Sequence, residues 1–180
     1  MKQARTAFIA AIALLAAAAP AAPAAPCRVP AAQTVAANKV AKLLSVPTPF
    51  GRALYACIRR SGHTIALDEG FSDLRLAGRW VAWQRPERRG QWRIAVHDLR
   101  SGRERLVNGR VAAHSLGLTT RGSVVWAQIG TTSATPLFAN ELLRGRRVLD
   151  PGDVDARSVT LTGRRVRWLS GGAKRSAQVR

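Results

Sequence analysis

The sequence is poor in the residues that build catalytic and metal centres. It holds two cysteines, three histidines and ten carboxylates among 180 residues. The cysteines, Cys27 and Cys57, form no Cys-x-x-Cys pair and no Cys/His cluster, which argues against a structural zinc site. No Gly-x-Ser-x-Gly elbow, His-Glu-x-x-His pair, phosphate-binding loop or dinucleotide fingerprint occurs. Beyond Ala25 no segment has convincing helical periodicity, and the best candidate, residues 36–44, falls where a repeat described below requires a strand. The one long apolar run, residues 7–19, is well short of the roughly 20 residues that span a bilayer. Lysine is scarce too: only Lys2, Lys39, Lys42 and Lys174 among 29 basic residues.

What is present begins with an address. Lys2 and Arg5 precede the apolar run, and an Ala/Pro stretch follows to Pro26. That order is the one a secretory signal peptide has, with cleavage after Ala21 or Ala24. Pro26 stands where a lipid-anchored Cys27 would need a small residue. The expected layout is a signal peptide over 1–24, an N-terminal extension over 25–32 and a repeat domain over 33–180, in a secreted or cell-envelope protein. Two cysteines in an exported chain predict one disulfide, Cys27–Cys57, contributing about 3 kcal/mol in the chain-entropy model.

Three tryptophans, Trp83, Trp126 and Trp168, fall 43 and 42 residues apart. Each closes one phrase: Leu76-Ala-Gly-Arg-Trp-Val-Ala-Trp83, Leu118-Thr-Thr-Arg-Gly-Ser-Val-Val-Trp126 and Leu161-Thr-Gly-Arg-Arg-Val-Arg-Trp168. A period near 40 marks a repeat architecture. Gly62, Gly102 and Gly145 keep the same register inside hairpin turns, as do Leu67, Leu106 and Leu149 after them. Short Val, Ile, Leu and Trp runs between turn residues favour strands. The expected strands are 33–45, 53–59 and 63–67, then 74–85, 92–99 and 104–107, then 116–129, 136–142 and 146–149, and finally 158–169 and 174–179. The first unit carries Lys42 where the others carry tryptophan.

A unit of this length, closed by Val96-His-Asp-Leu-Arg-Ser-Gly-Arg103, resembles the blades of β-propellers, especially exported TolB-like and WD-repeat-like blades. The shared outline is Gly-x-x-Val-x-Trp followed by Asp-Leu-x-x-Gly, and the likeness spans residues 33–179. No Gly-His pair and no Trp-Asp pair of the WD signature stands at the expected places. The resemblance implies an all-β fold of about four antiparallel sheets, β-propeller-like, as a small ring, an open arc or an arc completed by a second copy. A compact monomer is the expected state and a homodimer the alternative. On the last strand Arg175, Gln178 and Arg180 would discourage edge pairing.

Few residues look like a site. Asp150, Asp153 and Asp155 form a weak calcium candidate through their oxygen ligands. Their segment is an inter-unit turn without the EF-hand spacing, so no metal or cofactor is expected. His97 and Asp98 are strand neighbours and point to opposite faces. His63 follows a turn glycine and faces solvent, and His114 lies near the start of a first strand. Asp98 and Glu141 hold equivalent positions and read as half-exposed cross-strand ion pairs. The tryptophans read as core packing and not as a sugar platform.

The formal net charge is +19. Arginine is spread along the repeats and not gathered in one block, which favours a solvated basic surface over a dedicated patch. The reading that follows is an exported, non-enzymatic β-repeat domain binding a protein or cell-envelope component. A cationic polyanion-binding module is the alternative, and an enzyme using a central cleft comes third. Lys42, His114 and the acidic 150–155 turn, where the repeats disagree, are the positions to inspect.

Overall fold

Strands do form from the apolar runs, and the turn residues set their ends. The structure, a computed structural model, describes residues 27–87, 91–129, 134–142 and 144–180. The expected signal peptide lies outside the described residues. The first sheet contains β1 (Gln33–Ala37), β2 (Ala41–Thr48), β3 (Gly51–Ile58) and β4 (Thr64–Glu69). The second contains β5 (Ser72–Ala77), β6 (Trp80–Pro86), β7 (Trp92–Asp98) and β8 (Arg103–Asn108). β9 (Gly117–Leu118), β10 (Val124–Ala127), β11 (Leu137–Glu141) and β12 (Gly145–Asp150) make the third. The fourth has β13 (Thr160–Thr162), β14 (Arg165–Ser170) and β15 (Ala173–Gln178). Every sheet is an antiparallel meander in chain order, and the fold is all-β and propeller-like.

The long first strand expected in each unit is in fact a hairpin, so the full units have four strands and not three. In the second and fourth sheets the break is a two-residue Gly-Arg turn. Gly78 and Gly163 sit at φ 58° and 60°, a region where a side chain would be strained. In the first sheet Asn38 makes the turn, its Oδ1 accepting from Val40 and Ala41 N–H at 2.8 and 2.9 Å. The apolar alternation runs through both strands of the hairpin, which is why it reads as one.

Successive sheets stack face to face. Trp83 is wholly buried with Val81 and Ala95 against Leu43 and Leu54 of the first sheet. Trp80, on the opposite face, packs with Ile94 and Val96 against Val124 and Trp126 of the third. Trp168 and Val166 meet Val125 and Leu137 across the last interface. The tryptophans are core, as the pleat requires. The first strands β1, β5, β9 and β13 touch in succession along the stack. Among the described residues no apolar cluster joins the fourth sheet to the first.

The backbone register moves the tryptophan position of the first sheet. Asn38 N–H donates to Ala41 O at 2.9 Å, closing that hairpin as the Ala77–Trp80 pair closes the next. Ala41 therefore corresponds to Trp80, and Leu44, not Lys42, to Trp83. Among the described residues no sheet covers the Leu44 face; instead Cys27, Arg28, Val29, Pro30 and Ala32 share a hollow with Lys42 and Leu44. The Cys27–Cys57 disulfide, with Cα atoms 5.7 Å apart, fixes that segment on the sheet. A covered first face is what a terminal repeat needs to shield its apolar side.

One turn glycine is held by packing as well as by backbone angle. Gly122 has φ 82°, and a Cβ there would stand 2.7 Å from the Trp80 ring. Gly122→Ala is expected to cost about 1–3 kcal/mol through strain and forced ring movement. Urea denaturation would register it as a lower midpoint with an unchanged slope.

Candidate functional site

The acidic turn is used for structure. Asp150 is buried, its Oδ2 accepting from Trp168 Nε1 at 2.7 Å and its Oδ1 from Gly152 N–H at 2.8 Å. Asp155 caps a single 3-10 turn, Ala156–Ser158, by accepting from Arg157 N–H at 3.0 Å. Among the described residues no three potential ligands gather into a metal-holding group, so Asp150, Asp153 and Asp155 are not brought together. The Trp168–Asp150 contact recurs two interfaces earlier, where Trp83 Nε1 donates to Asp68 Oδ2 at 2.8 Å. In both cases the last strand of one sheet latches the tryptophan of the next. Trp126 has no such carboxylate, and its indole reaches only Gln128 Oε1 at 3.4 Å.

Burial alone would raise the Asp150 carboxyl. Hydrogen bonds from Trp168, Gly152 and Ser170, with the Arg175 charge, outweigh it and hold the group below the ordinary carboxylate value. A depressed folded-state pKa means the stabilisation is present above the unfolded value and lost as pH falls through the folded one. Asp150→Asn should therefore flatten the loss of stability below about pH 4, while lowering stability at pH 7. Denaturation midpoints of the two proteins, measured at both pH values, check this.

The histidines stand on separate elements. His63 is exposed, as expected. His114 lies in the loop before β9 and not on a strand, at φ 68°, its N–H bonded to Asp73 Oδ1 at 3.2 Å. His97 is buried on β7, and burial lowers its pKa despite nearby Glu104 and Asp98. Asp98 and Glu141 are buried and not half-exposed. Asp98 accepts from Arg100 N–H and Ser101 Oγ of its own turn and pairs with Arg79 at 3.0 Å. Glu141 pairs with Arg147 across its hairpin at 3.0 Å.

The feature that stands out is electrostatic, and it comes from the meander itself. In an antiparallel meander every second connection returns to the same end. Seven connections, at residues 38–40, 59–63, 78–79, 99–102, 119–123, at 142 and 144, and at 163–164, thus share one end of the stack. They carry eight cations, Lys39, Arg59, Arg60, Arg79, Arg100, Arg121, Arg144 and Arg164, and no carboxylate. The side-chain carboxylates at this end are Asp98 and Glu141, both buried and already paired, and the exposed Glu104 on β8, which pairs with Arg85 at 3.4 Å. Asp68, Glu69, Asp73, Glu87, Asp150, Asp153 and Asp155 all fall toward the opposite end. Of the eight cations only Arg79 has a carboxylate in ion-pair range among the described residues.

These turns border a groove of about 950 Å³ across the first three sheets. Lys39, Arg60, Arg79, Arg100 and Arg121 line it, with Val40, Ile58, Leu99 and Leu142 between them. Arg121 and Leu142 also line a second hollow of about 380 Å³, which adds Arg144, Arg180, Ser123 and the Arg147-paired Glu141. Trp80 lies in the floor, only 6% exposed, with the Arg79 guanidinium 5.4 Å from its ring centre. Arg105 braces this end from within, donating to Asn140 Oδ1 and Gly122 O between the second and third sheets. Seven arginines spread along the sequence are therefore gathered at one end of the fold. Their signal was the basic residue beside each turn glycine, as in Gly78-Arg79, Arg121-Gly122, Arg144-Gly145 and Gly163-Arg164.

No protein-family model matches the chain, and no curated protein matches it. Among solved structures, the crystal structure of TolB from Acinetobacter baumannii is similar at 15% identity and a TM-score of 0.46. The match covers 74% of this chain and 38% of that one, so the chain spans well under half of the TolB length. Among the described residues no helix is long and apolar enough to cross a membrane.

Proposed function

We propose that this chain is an exported, non-enzymatic binding domain whose ligand is an anionic component of the cell envelope, held on the cationic turns. The single observation that carries the reading is the eight cations on seven connections of one end, with no free carboxylate among them. A groove lined by one sign of charge focuses the field and raises the local concentration of the opposite charge. Folding alone does not call for such an arrangement, because eight like charges at one end repel one another. Export rests on the basic, apolar and small-residue start and on the disulfide. The separated histidines, with His97 buried and its Nε2 unpartnered, offer no acid–base constellation and support binding over turnover.

A protein this basic adheres to any anionic matrix, so the test must hold net charge constant. R60E/R100E/R121E alters the turns, whereas R110E/R157E/R167E makes the same charge change on exposed arginines elsewhere. Binding of both to a carboxylated polymer is measured by calorimetry over a salt series. The turn variant should lose binding and the other should keep most of it. Equal losses would show that overall charge, not this surface, governs binding.

A further inference from the structure

The shape of the cationic end narrows the ligand further, on the footing that the groove binds anions at all. Its charges stand in two rows. Lys39, Arg79 and Arg121 come from the first hairpin of each sheet, and Arg60, Arg100 and Arg144 from the second. First and second hairpins of one sheet are two strand spacings apart, roughly 10 Å, and adjacent sheets are also roughly 10 Å apart. The groove between the rows is therefore about one extended polymer strand wide and continues across the sheets. It suits a chain lying lengthwise, with cations on both flanks.

The floor separates the possible polymers. Val40, Ile58, Leu99 and Leu142 lie between the cations, and Val40 and Leu142 are 40% and 45% exposed. A polymer of bare phosphates has no apolar surface to set against them. Nucleic-acid strands have bases, but sites for them combine basic grooves with open aromatic platforms. Here the groove's one aromatic, Trp80, is buried beneath Arg79. A linear glycan with a carboxylate on each sugar offers both halves of the match: ring C–H faces for the floor, and carboxylates for forked guanidinium pairing. We propose that the groove takes a single strand of an acidic polysaccharide lengthwise, its carboxylates between the two rows of turn cations and its ring faces on Val40, Ile58 and Leu142.

The experiment titrates the disulfide-bonded chain, without its leader, with oligogalacturonates of increasing length. Their methyl esters, a polyphosphate and an oligonucleotide of matched charge serve as comparators. Affinity should rise with oligogalacturonate length until the groove is spanned, and the neutral esters should not bind. The polyphosphate and the oligonucleotide should bind at least about tenfold more weakly, since each lacks one half of the match. Leu142→Gln, at an exposed position, should weaken the glycan about fivefold and leave the polyphosphate unchanged. Equal or tighter binding of the polyphosphate or the oligonucleotide, or length-independent glycan binding, would overturn this inference and leave the anion-binding surface standing. If R60E/R100E/R121E binds every polymer as the unaltered chain does, the surface itself is wrong and both readings fall.

Discussion

An R60E/R100E/R121E chain is expected to bind an anionic polymer at least 100-fold more weakly than the unaltered chain at about 50 mM salt. The magnitude follows from counterion release. Five cations line the main groove, and a flexible single-stranded polyanion gives a salt slope of about −0.7 per neutralised charge. Five contacts then imply roughly a 100-fold loss between 50 and 200 mM salt. Reversing three of them removes those contacts and adds repulsion, so the slope should fall to about −1.5 or shallower. The substitutions should leave folding intact, because Arg60, Arg100 and Arg121 are exposed and hold no ion pair among the described residues. An unchanged slope would mean that the bound polymer lies elsewhere.

The largest effect on stability is expected at Trp83. Trp83→Ala should cost about 3–5 kcal/mol, since the side chain is wholly buried between the first two sheets. Part of that loss is the cavity, and part is the Asp68 carboxylate left without its indole donor. Phenylalanine separates the parts, because it keeps ring bulk and removes the N–H. Trp83→Phe and Trp168→Phe, which break 2.8 and 2.7 Å bonds to Asp68 and Asp150, should each cost about 1–3 kcal/mol. Trp126→Phe should cost less, since it gives up only a 3.4 Å contact to Gln128. Chemical denaturation of the three proteins gives the ranking, and a Trp126 cost equal to the others would remove the latch as its cause.

The sequence made some of this legible and hid the rest for physical reasons. The tryptophan period, the turn glycines and the Cys27–Cys57 pairing all rest on local backbone or redox chemistry, and each appears in the fold. The first hairpins escaped notice because apolar alternation continues through Gly78 and Gly163 without interruption. Lys42 looked like the tryptophan position because counting residues ignores the register that Asn38 and Ala41 set. Asp150 looked like a ligand because turns and cation sites use the same residues, and only burial shows that its oxygens are taken.

The cationic end is the instructive case. Along the chain Lys39, Arg60, Arg79, Arg100 and Arg121 are about 20 residues apart, which reads as dispersion. About 20 residues is also the distance after which an antiparallel meander of these strands returns to the same end. Dispersion in sequence at that interval is convergence in space. The reading of arginine as evenly spread therefore holds for the chain and fails for the fold.

Amide chemical-shift mapping with a long oligogalacturonate tests the central claim most directly. Perturbations are expected at residues 38–40, 59–62, 78–79, 99–102 and 119–122, fading as salt is raised. Perturbations concentrated instead at the opposite end, around residues 48–51, 69–73 and 151–155, would contradict the claim, as would none at all.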